Sequence, residues 1–195
     1  MIVSAAEAVQ KKGMDGANLA KRWLESTTCI ELPFDAYNNA PVSTLRRLDG
    51  KVKVYDLFGC IFTSPRIPLY VESKGFDTPG GKQGKEFWEF LANAYSITAQ
   101  DLRDGLDARR EFWWITRHPF NSTDWSSLTS AERIKTALKE HHPEALNGES
   151  INVDLLGTVS SRVELFVVNK RQEDFMLSPE ELALVESKLN RKGKT

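Results

Sequence analysis

Cysteine is nearly absent: the 195-residue chain has two, Cys29 and Cys60. Neither sits in a CxxC pair or a Cys/His spacing that would hold zinc, and a small secreted domain stapled by disulfides carries more. Both read as reduced, half-buried thiols of a cytosolic protein. Long apolar runs are missing too. None approaches the ~18 residues of a membrane span, and the opening MIVSAAEAVQKKGMDG becomes charged at Lys11 without a long apolar core, so it reads as no signal peptide. The expectation is a cytoplasmic protein with no membrane partner. An excess of one charge is also lacking: 26 basic residues face 27 acidic ones, for a net charge of −1. That excludes a global pull on nucleic acid and leaves only local clusters to supply one. No GxSxG, HExxH, Walker or GxGxxG motif occurs, which removes the common nucleophile, zinc-protease and nucleotide-loop chemistries.

What is there suits one globular domain. Hydrophobic residues make up 41%, and no repeat, low-complexity tract or linker divides the chain. Residues 1–195 read as a single domain, with a core over about 17–170 and a C-terminal helix over 178–191. The spacing predicts a helix over residues 3–26, broken near Gly13 to Gly16, with Ala17, Ala20, Trp23 and Leu24 on one stripe. A short strand follows over Thr28 to Phe34, ended by Pro33. Asp49-Gly50 is a turn signal. After it KVKVYDLFGCIF alternates as one strand, placing Val52, Val54, Asp56 and Phe58 on a shared face. Ser64-Pro65-Arg66 turns the chain into a second strand, PLYVESKGF, joined as a hairpin by three to five residues. DTPGGKQGK reads as a basic flexible loop. A helix over about Lys85 to Ala99 carries the stripe Phe87, Phe90, Leu91 and Ala94. EFWWITR over 111–117 reads as a strand whose Trp113 and Trp114 point to opposite faces, one into the core and the other half-exposed. TSAE starts a helix over Ala131 to His141, and Val163 to Asn169 reads as a strand buried on both faces. Ser178 caps a last helix with Pro179 at its first position, and the terminal NRKGKT frays. The order α, β, β, β, α, β, α, β, α implies an α/β fold, a mixed central sheet flanked by helices.

The residues that carry chemistry are Asp56, Glu72 and Lys74. Period-two alternation puts Glu72 and Lys74 on one face of their strand. If the hairpin pairs about Ser64, Asp56 and Glu72 are equidistant from the turn and lie side by side, with Cβ atoms ~5 Å apart. Asp56 lies in an otherwise apolar stretch, YDLFGCIF, where an unpaired carboxylate is costly. Two carboxylates this close repel, and a divalent cation relieves them. Mg²⁺ (or Mn²⁺) takes one or two carboxylates together with water and phosphate oxygens, and an adjacent ammonium can orient a water and stabilise phosphorane-like charge.

The pattern Asp56, fifteen residues, Glu72-Ser73-Lys74 on neighbouring strands followed by a helix resembles the PD-(D/E)xK nuclease superfamily, with Tyr55 where that family often has proline. The resemblance implies a restriction-endonuclease-like core of helix, three-stranded meander, helix and strand, spanned here by residues 17–117. It implies metal ligation by Asp56, Glu72 and the backbone carbonyl of Ser73, with Lys74 positioning the nucleophile. Glu25 on the first helix and Gln83 at the second are accessory candidates. The activity implied is Mg²⁺-dependent cleavage of DNA phosphodiesters, as an endonuclease working as a homodimer or as a subunit of a defence, mobile-element or repair system. The alternative is a catalytically inactive module of the same fold that holds a protein or nucleic-acid partner. A third reading turns the same metal chemistry on a small phosphoester. Arg46, Arg47, Lys82 and Lys85 are the expected nucleic-acid contacts, with Lys51 and Lys53 in the same basic stretch. A charged, exposed hairpin face explains the arginines and Lys51/Lys53 equally well. His141-His142-Pro143 reads as a helix end whose histidines complement the dipole.

Overall fold

The computed structural model describes residues 5–75, 82–106, 108–186 and 188. Five strands form one mixed sheet in the order β1 (Ile30–Asp35), β4 (Leu57–Ile61), β5 (Ile67–Lys74), β6 (Glu111–Thr116), β7 (Val163–Val167). The β1–β4 and β4–β5 pairs are antiparallel, and β5–β6 and β6–β7 are parallel. Helix α1 (Ala5–Thr27) covers one face. Helices α2 (Gln83–Arg103), α3 (Ala131–Thr136, continued by a π turn over Ala137–His141) and α4 (Val153–Ser160) cover the other. A two-stranded ribbon, β2 (Thr44–Arg46) with β3 (Val52–Val54), lies beside α2, and two short helices, α5 (Lys170–Glu173) and α6 (Pro179–Glu186), follow β7. The expected mixed α/β class, with helices on both sides of a mixed sheet, is what the chain forms.

Alternation sorts the sheet into two cores. Leu57, Leu69, Val71, Trp113 and Ile115 face α1 and its buried Ala17, Ala20 and Leu24. Tyr70, Phe112 and Trp114 face α2 and its Phe87, Phe90, Leu91 and Ala94. Both tryptophans are thus buried, at 9% and 1% exposure, so the half-exposed tryptophan does not exist and neither ring is open for stacking.

Several sequence expectations are corrected. Helix α1 runs unbroken through Gly13 and Gly16. A glycine costs a helix only ~1 kcal/mol, and at Gly13 the missing side chain admits a neighbour: a Cβ there would sit 2.5 Å from the Tyr37 hydroxyl. Pro33 lies inside β1 and does not end it. β1 is an edge strand whose register slips between Glu31 and Phe34, and an edge bulge tolerates proline. KVKVYDLFGCIF is two strands in two sheets. Tyr55 is fully buried against Tyr70, Phe90 and Phe112. Drawing that ring inward breaks the alternation and leaves Val52 and Val54 exposed. β7 is the opposite edge, with residues 164–167 only partly covered. Helix α4 and the β2 strand were not anticipated. The basic loop at 77–85 lies mostly outside the described residues, as does the NRKGKT terminus.

The β4–β5 hairpin holds the predicted register. Leu57 pairs with Val71, Phe58 with Tyr70, Gly59 with Leu69, Cys60 with Pro68 and Ile61 with Ile67, every pair symmetric about Ser64. Continued by one residue, that register sets Asp56, just before β4, opposite Glu72.

Candidate functional site

Glu72 and Lys74 share the face of Tyr70, but where that face turns from apolar to charged. Glu72 is 6% exposed, so its charge needs partners. It has two: the Lys53 ammonium straddles its carboxylate at 3.0 Å from Oε1 and 2.8 Å from Oε2, and the Lys74 ammonium lies 2.9 Å from Oε1. Lys74 is held again by Glu86 Oε2 at 3.0 Å and lies over the Trp114 ring at 5.3 Å. Asp56 is half-buried, and its Oδ2 accepts the backbone N–H of Ser73 at 2.7 Å.

The two carboxyls are pushed in opposite directions. Burial, followed by the charge of Glu72, pushes Asp56 up to about 6. Burial also acts to raise Glu72, but Lys53 and Lys74 outweigh it and hold that carboxyl below its usual range. Burial acts to lower Lys74, and Glu72 and Glu86 overcome it, so the ammonium stays charged well above its ordinary range. Burial and then the Asp56 charge raise the Tyr37 phenol, marking it as a neighbour of the site.

Lys53, Glu72, Lys74, Glu86, Glu89, Phe90 and Asn93 line a cleft of about 300 Å³ between the sheet and α2. The cleft lining carries three carboxylates (Glu72, Glu86, Glu89) against two ammonium groups (Lys53, Lys74), and Asp56 adds a carboxyl close enough to feel the Glu72 charge. That surplus, with hard oxygen donors on neighbouring strands, fits a divalent cation of the Mg²⁺ type. Asp56 and Glu72 would hold it. Among the described residues no group of three or more His, Cys, Asp or Glu side chains is placed to hold a metal, so water or ligand oxygens would complete the shell.

The structure therefore brings Asp56, Glu72, Ser73 and Lys74 together and leaves the other candidates elsewhere. Glu25 caps the sheet edge, accepting the Leu32 N–H at 2.9 Å. Gln83 is fully buried and accepts the Thr116 hydroxyl at 2.6 Å, bracing the end of β6. Arg47 is not a phosphate contact: it is 6% exposed and bound to Asp49 at 2.8 Å and to Asn93 at 2.9 Å. Arg46, Lys82 and Lys85 are exposed. Sequence reasoning missed Lys53, Glu86 and Asn93. In the sequence Lys53 reads only as part of a basic stretch, a nucleic-acid contact or an exposed charged face, and not as a partner of Glu72. Glu86 and Asn93 lie seven residues, about two turns, apart on α2, a helical spacing that points both at the same strand end.

No family model matches the chain, and no curated protein does. Solved structures that overlap it are a Cap4 SAVED/CARF-domain containing receptor of Acinetobacter baumannii with the cyclic trinucleotide 2'3'3'-cAAA, at 14% identity, TM-score 0.43 and 98% of this chain, and the same receptor with 3'3'3'-cAAA, at TM-score 0.41, 14% identity and 98%. The Cap4 receptor of Moraxella osloensis follows at 13% identity and TM-score 0.37 over 89%. The chain spans 36–38% of their length, and the likeness is remote.

The expectation of a metal-dependent DNA nuclease is corrected. The overlapping structures are described as receptors, two of them holding a cyclic trinucleotide. Within the chain, two of the basic residues expected to track a DNA backbone are spent internally, Arg47 on Asp49 and Lys53 on Glu72, and Glu86 and Glu89 put further negative charge on the cleft. A cytoplasmic location reduces to a narrower statement: among the described residues no helix is long and apolar enough to cross a membrane.

Proposed function

We propose that this cleft holds a divalent cation, Mg²⁺ or Mn²⁺, between Asp56 and Glu72 and through it the phosphate of a small ligand of the nucleotide class. The enzyme class that goes with this reading is a phosphoester hydrolase acting on that small ligand. The observation that carries it is the pair of carboxyls, Asp56 just before β4 and Glu72 on the paired β5, close enough that burial and the Glu72 charge raise Asp56 to about 6. A divalent cation there polarises a phosphoryl oxygen. Lys74, fixed by Glu72 and Glu86, offers its ammonium to charge that develops on the phosphate. The N–H of Ser73 fixes the Asp56 carboxylate at the end of β5. A volume of about 300 Å³ suits a phosphate with part of its substituent and not a duplex.

The order α1, β1/β4/β5 meander, α2, β6 supports reading the core as restriction-endonuclease-like, and Asp56, Glu72 and Lys74 as its PD-(D/E)xK positions. The reading is tested with bis(p-nitrophenyl) phosphate and a cyclic trinucleotide in Mn²⁺, by nitrophenol release and by calorimetry. It expects Mn²⁺-dependent release or trinucleotide binding that Lys74→Ala loses. Absence of both, or signals that Lys74→Ala leaves unchanged, contradicts it.

A further inference from the structure

Lys53 and Lys74 both bind Glu72, yet they are held differently. Lys74 belongs to β5 itself, is clamped between Glu72 and Glu86, and lies over Trp114. Lys53 reaches across from the separate β2–β3 ribbon, and Glu72 is the carboxylate it binds. Its ammonium spans both Glu72 oxygens, which is where a cation shared with Asp56 would have to bind. A flexible four-carbon stem carrying a strongly hydrated point charge releases such a contact more readily than a forked guanidinium. The ribbon beneath it is fixed, since Arg47 binds Asn93 and the Leu48 N–H is accepted by Ser96 Oγ at 3.0 Å. Only the side chain need move.

We infer that Lys53 is an internal counter-cation: it neutralises Glu72 when no metal is bound, and a divalent cation displaces it to enter the site. This rests on the cation site proposed above and adds its regulation. The displaced ammonium stays at the cleft wall, where it can meet the ligand's phosphate. The site is thus kept neutral enough to fold without metal, at the expense of metal affinity.

The test is Mn²⁺ titration of the full chain by calorimetry, comparing wild type with Lys53→Met and Lys53→Arg and using Glu72→Gln as the reference for the site. Removing the competitor should tighten Mn²⁺ binding about tenfold or more, the scale of one charged hydrogen bond. The forked guanidinium of Lys53→Arg should grip both Glu72 oxygens and weaken binding. If Lys53→Met does not fold, as judged by circular dichroism, the weakening in Lys53→Arg decides alone. Mn²⁺ binding that Glu72→Gln abolishes but that is equal or weaker in Lys53→Met, or unchanged in Lys53→Arg where that variant alone folds, overturns the displacement and leaves the cation site standing. No binding in wild type or Lys53→Met overturns both.

Discussion

The two faces of β5 are built from alternate residues of the same eight, yet they do different things. Toward α1 the strand presents Leu69, Val71 and then Ser73, closing against small helix residues and Gly16. Toward α2 it presents Tyr70 and then Glu72 and Lys74, passing from an aromatic core to a cleft lined by three carboxylates within two residues. The first face is apolar packing that needs no partner. The second carries charge inside a protein, which is tolerated only where each charge is answered. A single strand can therefore anchor a domain on one side and expose a reactive cluster on the other, provided the charged pair sits at the strand's end, where the apolar layer stops.

The largest expected effect is on the anchoring side. A Cβ on Gly59 would lie 2.7 Å from the Leu32 Cα, where the β1 bulge crosses β4. Gly59→Ala should cost about 3 kcal/mol or more in urea unfolding; a loss under about 1 kcal/mol would mean that the edge gives way easily. On the other side, Glu72→Ala leaves Lys53 and Lys74 facing each other without their shared acid, and should cost about 3 kcal/mol. Equal stability of that variant would show the ion cluster to be loosely solvated and the contrast between the faces to be false.

Smaller and sharper are the pH effects. Asp56 has a folded carboxyl raised from 3.8 to about 6, so the folded chain binds a proton that the unfolded chain has already lost. Its contribution is present at low pH and lost as pH rises through about 6, the reverse of Glu72, whose lowered carboxyl stabilises the fold until pH falls through its folded value. Relative to Asp56→Asn, wild type should lose stability between about pH 4 and 6 and recover it when Mn²⁺ is added. Protons compete for the same carboxylate, so Mn²⁺ affinity should fall on acidification below about 6. Affinity that is flat across that range would contradict the role of Asp56. The smallest effect expected is a control away from both faces. Ser130 accepts the Arg133 N–H at the start of α3, and Ser130→Ala should cost about 1 kcal/mol in unfolding with Mn²⁺ affinity unchanged.

Much of this was legible because the side-chain period of a strand is fixed. The turn at Ser64 and the alternation of PLYVESK sufficed to set Asp56 opposite Glu72, and the α2 stripe followed from helical spacing. What escaped was decided by tertiary packing. Tyr55 turns inward because three aromatic rings surround it, and that one side chain splits the KVKVYDLF run into two strands. Lys53 looked like a solvated basic residue because nothing local reveals a buried acid nineteen positions away. Arg47 looked like a phosphate contact until Asn93, on a distant helix, was seen to bind it. The α1 break is expected from its glycines, of which Gly13 instead makes room for the Tyr37 hydroxyl.

The most direct measurement is a count of Mn²⁺ ions bound per chain, by electron paramagnetic resonance, in wild type, Asp56→Asn and Glu72→Gln. The account predicts one ion in wild type and none in either variant at the same free Mn²⁺ concentration. No bound ion in wild type, or an ion that both variants retain, would contradict it.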